Sequence, residues 1–248
     1  MPPKKENDDG GRADKIAKKK RELMTLAIKH KNERNNERKR KNDRKVPVSG
    51  SEMEFTDLVW GSPKGIDGNN CYGFAADEYR DGGFDKLQPG EIAGTLKTED
   101  DLTTCDVLGK RVLDDLRIRG GYRADPDAPC AVGHYKIMSF VAPGKDYHWY
   151  RQTGDMLVRV DGKNTVASIA KNAGVPMKNV NIPPGENSKN RLALLHGAGL
   201  WAHKRGLDEL STKDASGKFI KDPRNANRTY PPYDYKDFCN AYCLPVRR

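Results

Sequence analysis

The stretch DGNNCYGFAADEY, Asp67 to Tyr79, places a cysteine where a loop rich in Gly and Asn meets a short apolar run. The apolar run is predicted to begin a helix, and the loop supplies Asn side chains that can cap it. A thiol in the first turn of a helix lies near free N–H groups and the positive end of the helix dipole, which stabilise the thiolate. Cys71 is therefore a candidate nucleophile, although a free cysteine is more often a buried core residue.

A nucleophilic cysteine needs a general base, and the best candidate is His148 in KDYHWYRQ. His148 lies near the start of a predicted strand, beside a turn, with aromatic neighbours that could exclude water. His134, at the start of the preceding predicted strand, is the rival candidate. His196 lies in a Gly-rich region and His30 in a basic segment, so both are weaker candidates.

The base in turn needs an orienting group, which LWAHKRG supplies as His203. A neutral His203 on the next strand could accept the ring N–H of His148 and set its tautomer. Asn69 or, preferably, Asn70 could supply an oxyanion donor beside the backbone N–H of Cys71.

The pattern of the remaining sequence predicts an α+β fold. Apolar spacing predicts a helix over 100–119, and two β-rich runs joined by APGKD predict a pair of strands before Gln152. The sequence thus predicts a helix that carries Cys71, packed on a small antiparallel sheet. An inserted subdomain at about 153–195 contains a helix capped by Asn164 or Thr165 and stopped by Gly174.

Charge divides the chain into a basic arm, 1–47, and a body, 48–248. The arm carries 17 Lys and Arg against 8 Asp and Glu, whereas the body carries 28 against 27. The arm has a helical composition with few apolar residues, so a solvated tail and a helix both remain open. Such an arm is expected to bind nucleic acid or acidic protein surfaces. VPVSGS, 46–51, is interpreted as the linker.

The five cysteines are an odd number, so at least one thiol cannot pair within the chain. The sequence shows neither an apolar signal core nor an apolar run of 18 residues, so we expect an intracellular, reducing location with free thiols, or a virion, and no membrane. Cys105 is expected in a helix core, Cys130 before a strand, and Cys239 and Cys243 in a helix. These cysteines do not form a zinc motif, and no metal or cofactor is expected.

Taken together, NNCYGFA, DYHWYRQ and LWAHKRG resemble the core of the circularly permuted papain-like fold, the NlpC/P60 and CHAP group of cysteine hydrolases. The resemblance covers roughly 65–206 with the insertion removed. It implies a thiol hydrolase of amide bonds, typically in cell-wall peptides, with Cys71, His148 and His203 as its triad. The basic arm and the insertion depart from that group. Part of the insertion is faintly similar to one helix and turn of a LysM glycan-binding module.

Three functional hypotheses follow. The first is a component of a large assembly, such as a capsid-associated protein, that is built on this fold and contacts neighbouring subunits through its arm. The alternative is an active Cys-His-His peptidase or amidase. A further alternative is a protein that binds nucleic acid without sequence preference, with an affinity that falls steeply with salt.

Overall fold

The structure is a computed structural model that describes residues 24–34, 36–37, 44–56, 59–81, 86–160, 165–182, 191–206 and 208–247. The chain divides into two compact units, Met1–Asp43 and Arg44–Arg248. In the first unit, residues 24–34 and 36–37 are helical and exposed. The rest of that unit, and Asn164 in the insertion, lie outside the described residues.

The second unit contains four α-helices in its described part. They are α1 (Pro63–Gly68), α2 (Cys71–Ala76), α3 (Cys105–Arg119) and α4 (Val166–Ala173). The strands are β1 (Tyr122–Ala124), β2 (His134–Ala142), β3 (Asp146–Gln152), β4 (Met156–Val160), β5 (Val180–Asn181), β6 (Arg191–Leu195), β7 (Trp201–Lys204), β8 (Leu210–Ser211), β9 (Thr229–Tyr230), β10 (Tyr233–Asp234) and β11 (Asp237–Pro245). Two short 3₁₀ helices span Met177–Asn179 and Pro223–Asn225. None of the described helices is long and apolar enough to cross a membrane.

The main sheet has six strands in the order β1-β11-β2-β3-β7-β8, and every neighbouring pair is antiparallel. The predicted α+β class is therefore confirmed. The predicted strand pair is the β2–β3 hairpin, with Phe140 opposite His148 in its register. LWAHKRG contains β7, which pairs with the end of β3 through Ala202 and Trp201. The sheet is buried on both faces around β2 and β3.

Helix α3 follows the predicted apolar spacing but begins at Cys105, because residues 101–104 form their own turns. Asp101 accepts hydrogen bonds from the backbone N–H and hydroxyl of Thr103, and Thr104 is the N-cap. The helix ends at Gly120, whose φ of 73° is the left-handed conformation that glycine adopts without strain. Leu108, Val112 and Leu116 of this helix are buried in the core against β11 and β2.

The insertion contains a small sheet in the order β4-β6-β5, accompanied by α4. Thr165 caps α4 by accepting a hydrogen bond from the Ser168 N–H, and Gly174 ends the helix in the left-handed conformation, as predicted. Ten buried residues form a cluster of their own here: Met156, Val160, Ile169, Ala170, Ala173, Val175, Ala193, Leu195, Ala198 and Leu200. Backbone bonds from Thr153 to Leu200, 2.8 Å, and from Gly199 to Gly154, 3.1 Å, join the two ends of the segment.

The interpretation of 46–51 as a free linker was wrong, because this segment packs on the body. Val46 is 3% exposed and lies in a buried cluster with Trp201 and Ile220. The amide of Gln152 donates to the Val46 carbonyl at 2.8 Å, and Lys45 donates to the carbonyls of Gly174 and Ala198. A short apolar segment after a basic one thus forms part of a core, which composition alone did not reveal.

The prediction of a helix at Cys239 and Cys243 was also wrong, since both lie in β11, between β1 and β2. In a sheet buried on both faces, the run Ala241-Tyr242-Cys243-Leu244 fits a central strand. The expectation of free thiols fails as well, because disulfides join Cys105 to Cys239 and Cys130 to Cys243. Cys71 is the unpaired fifth cysteine.

We predict that the Cys130–Cys243 disulfide contributes substantially to stability, because it closes a loop with a sequence separation of 113 residues. Because the Cys105–Cys239 disulfide remains in place and shortens this loop to about 30 residues, the loop-closure entropy contributes about 3–4 kcal/mol. The double variant Cys130→Ala/Cys243→Ala should therefore lower the free energy of unfolding by about 3–4 kcal/mol in urea titrations. Cys71→Ala, which leaves both disulfides intact, is the control. An unchanged urea midpoint in the double variant would contradict the prediction.

Candidate active site around Cys71 and the His148–His203 pair

Cys71 is the first residue of α2, and Asn70 is its N-cap. The Oδ1 atom of Asn70 accepts a hydrogen bond from the Gly73 N–H at 2.9 Å, and its Nδ2 donates to the Leu87 carbonyl at 2.7 Å. Asn70 thus caps the helix through Oδ1 and uses one of its two Nδ2 hydrogens on Leu87, so its role as an oxyanion donor stays a prediction. The amide of Asn69 is likewise engaged with Arg80, which anchors the turn between α1 and α2.

The thiol of Cys71 is buried, with 7% of the residue exposed. Burial and the negative charge of Asp146 raise the pKa of Cys71 to about 12, although backbone N–H groups of Trp149, Tyr72 and Cys71 itself act in the opposite direction. The helix N-terminus therefore favours the thiolate, as expected, but desolvation is the larger effect. In this conformation the side chain is a protonated thiol.

His148 and His203 lie together, with 2.8 Å between His148 Nε2 and His203 Nδ1. His203 Nε2 lies 3.0 Å from the Lys213 carbonyl oxygen, which can only accept. His203 therefore carries its proton on Nε2 and accepts at Nδ1, so His148 donates from Nε2. A neutral His148 is then left with its lone pair on Nδ1, which makes no hydrogen bond within the described residues. Neutral His203 thus sets the tautomer of His148.

The two histidines occupy the opposite face of the sheet from the core around Cys71. Tyr147 and Trp149 of β3 share a buried cluster with Cys71. His148 lies between them in sequence, so its side chain points to the other face, where its ring contacts Tyr150 at 5.0 Å. The sulfur lies against the backbone of β3, 3.9 Å from the Tyr147 carbonyl oxygen. Within the described residues, no hydrogen bond joins the thiol to either histidine.

A segment that sequence reasoning missed covers the histidine pair. Tyr230 and Tyr235 flank the β9–β10 turn, and the ring of Tyr235 lies 5.0 Å from that of His148. The Tyr235 hydroxyl donates to Asp146 at 2.7 Å, which fixes the carboxylate near the thiol. His148 is consequently only 3% exposed. A run of aromatic residues after a polar loop was visible in the sequence, but its partner across the sheet was not.

The rival histidines lie elsewhere. His134 is at the other end of the β2–β3 pair, opposite Pro245, and its ring packs on Tyr122. His196 forms a 2.8 Å pair with Asp155 at the half-exposed edge of the insertion. His30 lies in the exposed helix of the first unit, 3.4 Å from Glu33. The described residues contain no group of three or more His, Cys, Asp or Glu that could hold a metal ion.

Comparison of the chain with protein families, with curated proteins and with solved structures finds no match.

We predict that Cys71 reacts slowly with iodoacetamide in the folded protein. At pH 8 a thiol with a pKa of about 12 carries about 10³-fold less thiolate than an ordinary cysteine, whose pKa is about 8.5. Mass spectrometry without reductant reports Cys71 alone, because the other cysteines are in disulfides. Labelling should be slow in buffer and fast in urea, with Cys71→Ala as the blank. Rapid labelling of the native protein at pH 6–7 would instead indicate an activated thiolate.

We also predict that acid destabilises the fold through the histidine pair. Burial lowers the pKa of His203 from 6.5 to about 4, and burial with the neighbouring His203 lowers that of His148 well below its usual range. The unfolded chain binds the proton first, so stability is complete above about pH 6.5 and is lost as the pH falls towards 4. His203 alone should contribute about 3 kcal/mol across this window.

Urea titrations at several pH values check this prediction. His203→Gln, which cannot titrate here, should show a smaller change in the free energy of unfolding between pH 6.5 and 4.5. Equal pH dependence in the wild-type and variant proteins would contradict the assignment to the histidine pair.

Proposed function

We propose that the body is a papain-like cysteine hydrolase fold used as a building block of a larger assembly, such as a viral capsid, and tethered by the basic arm 1–47. The observation that carries the proposal is a buried thiol, whose surroundings oppose its ionisation, on the opposite face of the sheet from the histidine pair. This observation supports a scaffold like that of a thiol hydrolase in which the nucleophile is not activated.

The likeness to the papain-like arrangement rests on local geometry. A cysteine opens a helix, α2, whose Tyr72 packs on Trp149 of β3 at 5.2 Å between ring centroids. A histidine lies near the start of β3, and a second histidine on the adjacent strand β7 orients its ring. The hydrogen bond uses Nε2 of His148, which leaves Nδ1 as the basic atom for a nucleophile. Together these features support the family assignment.

Three features support a non-catalytic use of this scaffold. The thiol and His148 lie on different sides of β3, as described above. Tyr235 covers His148, and the Tyr147 hydroxyl is hydrogen-bonded to Gln88 beside the thiol. The charge of Asp146 opposes ionisation of Cys71. A substrate carbonyl would have to displace these groups before it met a thiolate.

The arm and the disulfides support a role in an assembly. The arm has 17 basic and 8 acidic residues, whereas the body that follows has 28 basic and 27 acidic residues. Such an arm suits an acidic surface on a neighbouring subunit or the phosphates of a packaged nucleic acid. Disulfides persist in oxidising environments, which include the surfaces of virions. A body with two disulfides suits a particle that must remain stable after release.

Deletion of residues 1–43 tests the assembly role. The cut leaves Lys45 and Val46, which pack on the body, so the fold should survive. We expect the shortened protein to unfold at an unchanged urea midpoint but to lose partner binding and large species in sedimentation velocity. A full-length variant in which the Lys and Arg of 15–21 are replaced by Gln should behave in the same way. Assembly that persists in both variants would exclude the arm as the tether.

An active thiol hydrolase is the second candidate, favoured by one specific observation. His203 and the Lys213 carbonyl set the His148 tautomer and leave Nδ1 free, which is the arrangement that a cysteine–histidine pair requires. In this hypothesis α2 or β3 rearranges first, and the Cys71 thiol then transfers its proton to Nδ1 of His148. Fast labelling of Cys71 near pH 6–7, together with peptide hydrolysis lost in Cys71→Ala, would favour it over the structural role.

A further inference from the structure

A cavity of about 410 Å³ lies at the end of β7 and shares Tyr230 and Lys213 with the surroundings of the histidine pair. Its lining combines two cations, one carboxylate, two hydroxyl groups and one aromatic ring: Arg205, Lys213, Asp214, Ser211, Thr229 and Tyr230. The Tyr230 ring also contacts His203, at 5.5 Å between ring centroids. The cavity therefore opens on the surface immediately beside the buried histidine pair.

The carboxylate of the cavity already accepts several hydrogen bonds from its own loop. Asp214 Oδ1 accepts hydrogen bonds from the N–H and hydroxyl of Ser216 and from the N–H of Lys218, at 2.7–3.0 Å. Its Oδ2 accepts one from the Asn227 N–H at 2.9 Å. These bonds turn the carboxylate towards the backbone and lower the pKa of Asp214 against the opposing effect of burial. Asp214 is therefore held as an anion whose hydrogen bonds stabilise the loop.

The cations of the cavity are less completely paired. Lys213 has no carboxylate within 4.0 Å among the described residues, and its ammonium group lies 5.8 Å from the Phe219 ring centre. Arg205 lies over the Tyr230 ring at 4.9 Å and meets Asp208 at 3.0 Å, in a pair whose side chains are 44% and 58% exposed. Such an exposed pair contributes little and exchanges readily for another anion.

Tyr230 contributes its ring to the cavity, whereas its hydroxyl group is buried. The hydroxyl lies near that of the fully buried Tyr150, and each of these two groups shifts the pKa of the other. A group buried in this way is not available to a ligand in the cavity, so the two cations are the groups that could bind an anion there.

We propose that this cavity binds the oxyanion group of a small ligand, a carboxylate or a phosphate, between Lys213 and Arg205. Lys213 supplies an ammonium group with no carboxylate partner among the described residues, and Arg205 supplies a planar guanidinium group over the Tyr230 ring. The site is independent of the function proposed for Cys71 and the arm.

Titration of the full-length protein, followed by ¹H–¹⁵N spectra, tests the proposal. Sodium acetate and sodium phosphate are added separately, each against sodium chloride at equal ionic strength. We expect saturable shifts of the Lys213, Asp214 and Tyr230 amides with at least one of the two anions. Saturation by acetate alone identifies a carboxylate site, and saturation by phosphate alone identifies a phosphate site. Shifts that match those in chloride would overturn the proposal.

Variants make the assignment specific. Lys213→Gln and Arg205→Gln should each weaken binding about tenfold, whereas Lys178→Gln, on the 3₁₀ helix of the insertion, should not change it. Lys213→Gln keeps the backbone carbonyl that accepts from His203, so an unchanged His203 ring signal shows that the local fold is intact. Undiminished binding in both cavity variants would place the anion elsewhere and overturn the proposal.

Discussion

Strand β3 is buried on both faces, and the alternation of its side chains determines the chemistry of the candidate site. Tyr147 and Trp149 point to the core beneath α2, whereas His148 and Tyr150 point to the opposite core with Trp201. A strand cannot send consecutive side chains to the same face. Because α2 packs on one face, its cysteine meets the backbone of β3 and the flanking aromatic residues, while the histidine pair is assembled on the other side.

The protonation of Cys71 results from two opposing effects of the same packing. The start of a helix directs N–H groups at the sulfur, which stabilises a thiolate. The close packing that holds the helix on β3 also removes water, which destabilises it. For a fully buried thiol the second effect is larger, and Asp146 adds to it. A cysteine at a helix N-terminus is therefore not activated by position alone, since it also needs solvent or a positive partner.

Local signals in the sequence predicted much of the second unit. Several predicted features depend only on nearby residues, and all are present in the structure: the apolar spacing of α3, its terminal glycine, the caps of α4 and the β2–β3 hairpin. The proximity of His148 and His203 followed from treating the insertion as removable.

The features that the sequence did not reveal depend on residues far away in the chain. Cys239 and Cys243 have helical spacing, but the partners that make β11 a central strand lie about 100 residues earlier. Contacts between residues distant in sequence also determine three other features: the burial of Val46, the cover of His148 by Tyr235, and the orientation of His148 away from Cys71.

The insertion has a consequence for the order in which the chain folds. Strands β3 and β7 are separated by 48 intervening residues, and joining them through an open loop of that length would be slow, because loop closure costs entropy. The insertion has its own buried cluster, and the bonds from Thr153 to Leu200 and from Gly199 to Gly154 hold its ends together. Once the insertion has folded, it connects β3 to β7 as a short turn would. Pairing of β3 with β7 then becomes a nearly local event, so the slow search is left to β11, which must return from far along the chain to the middle of the sheet.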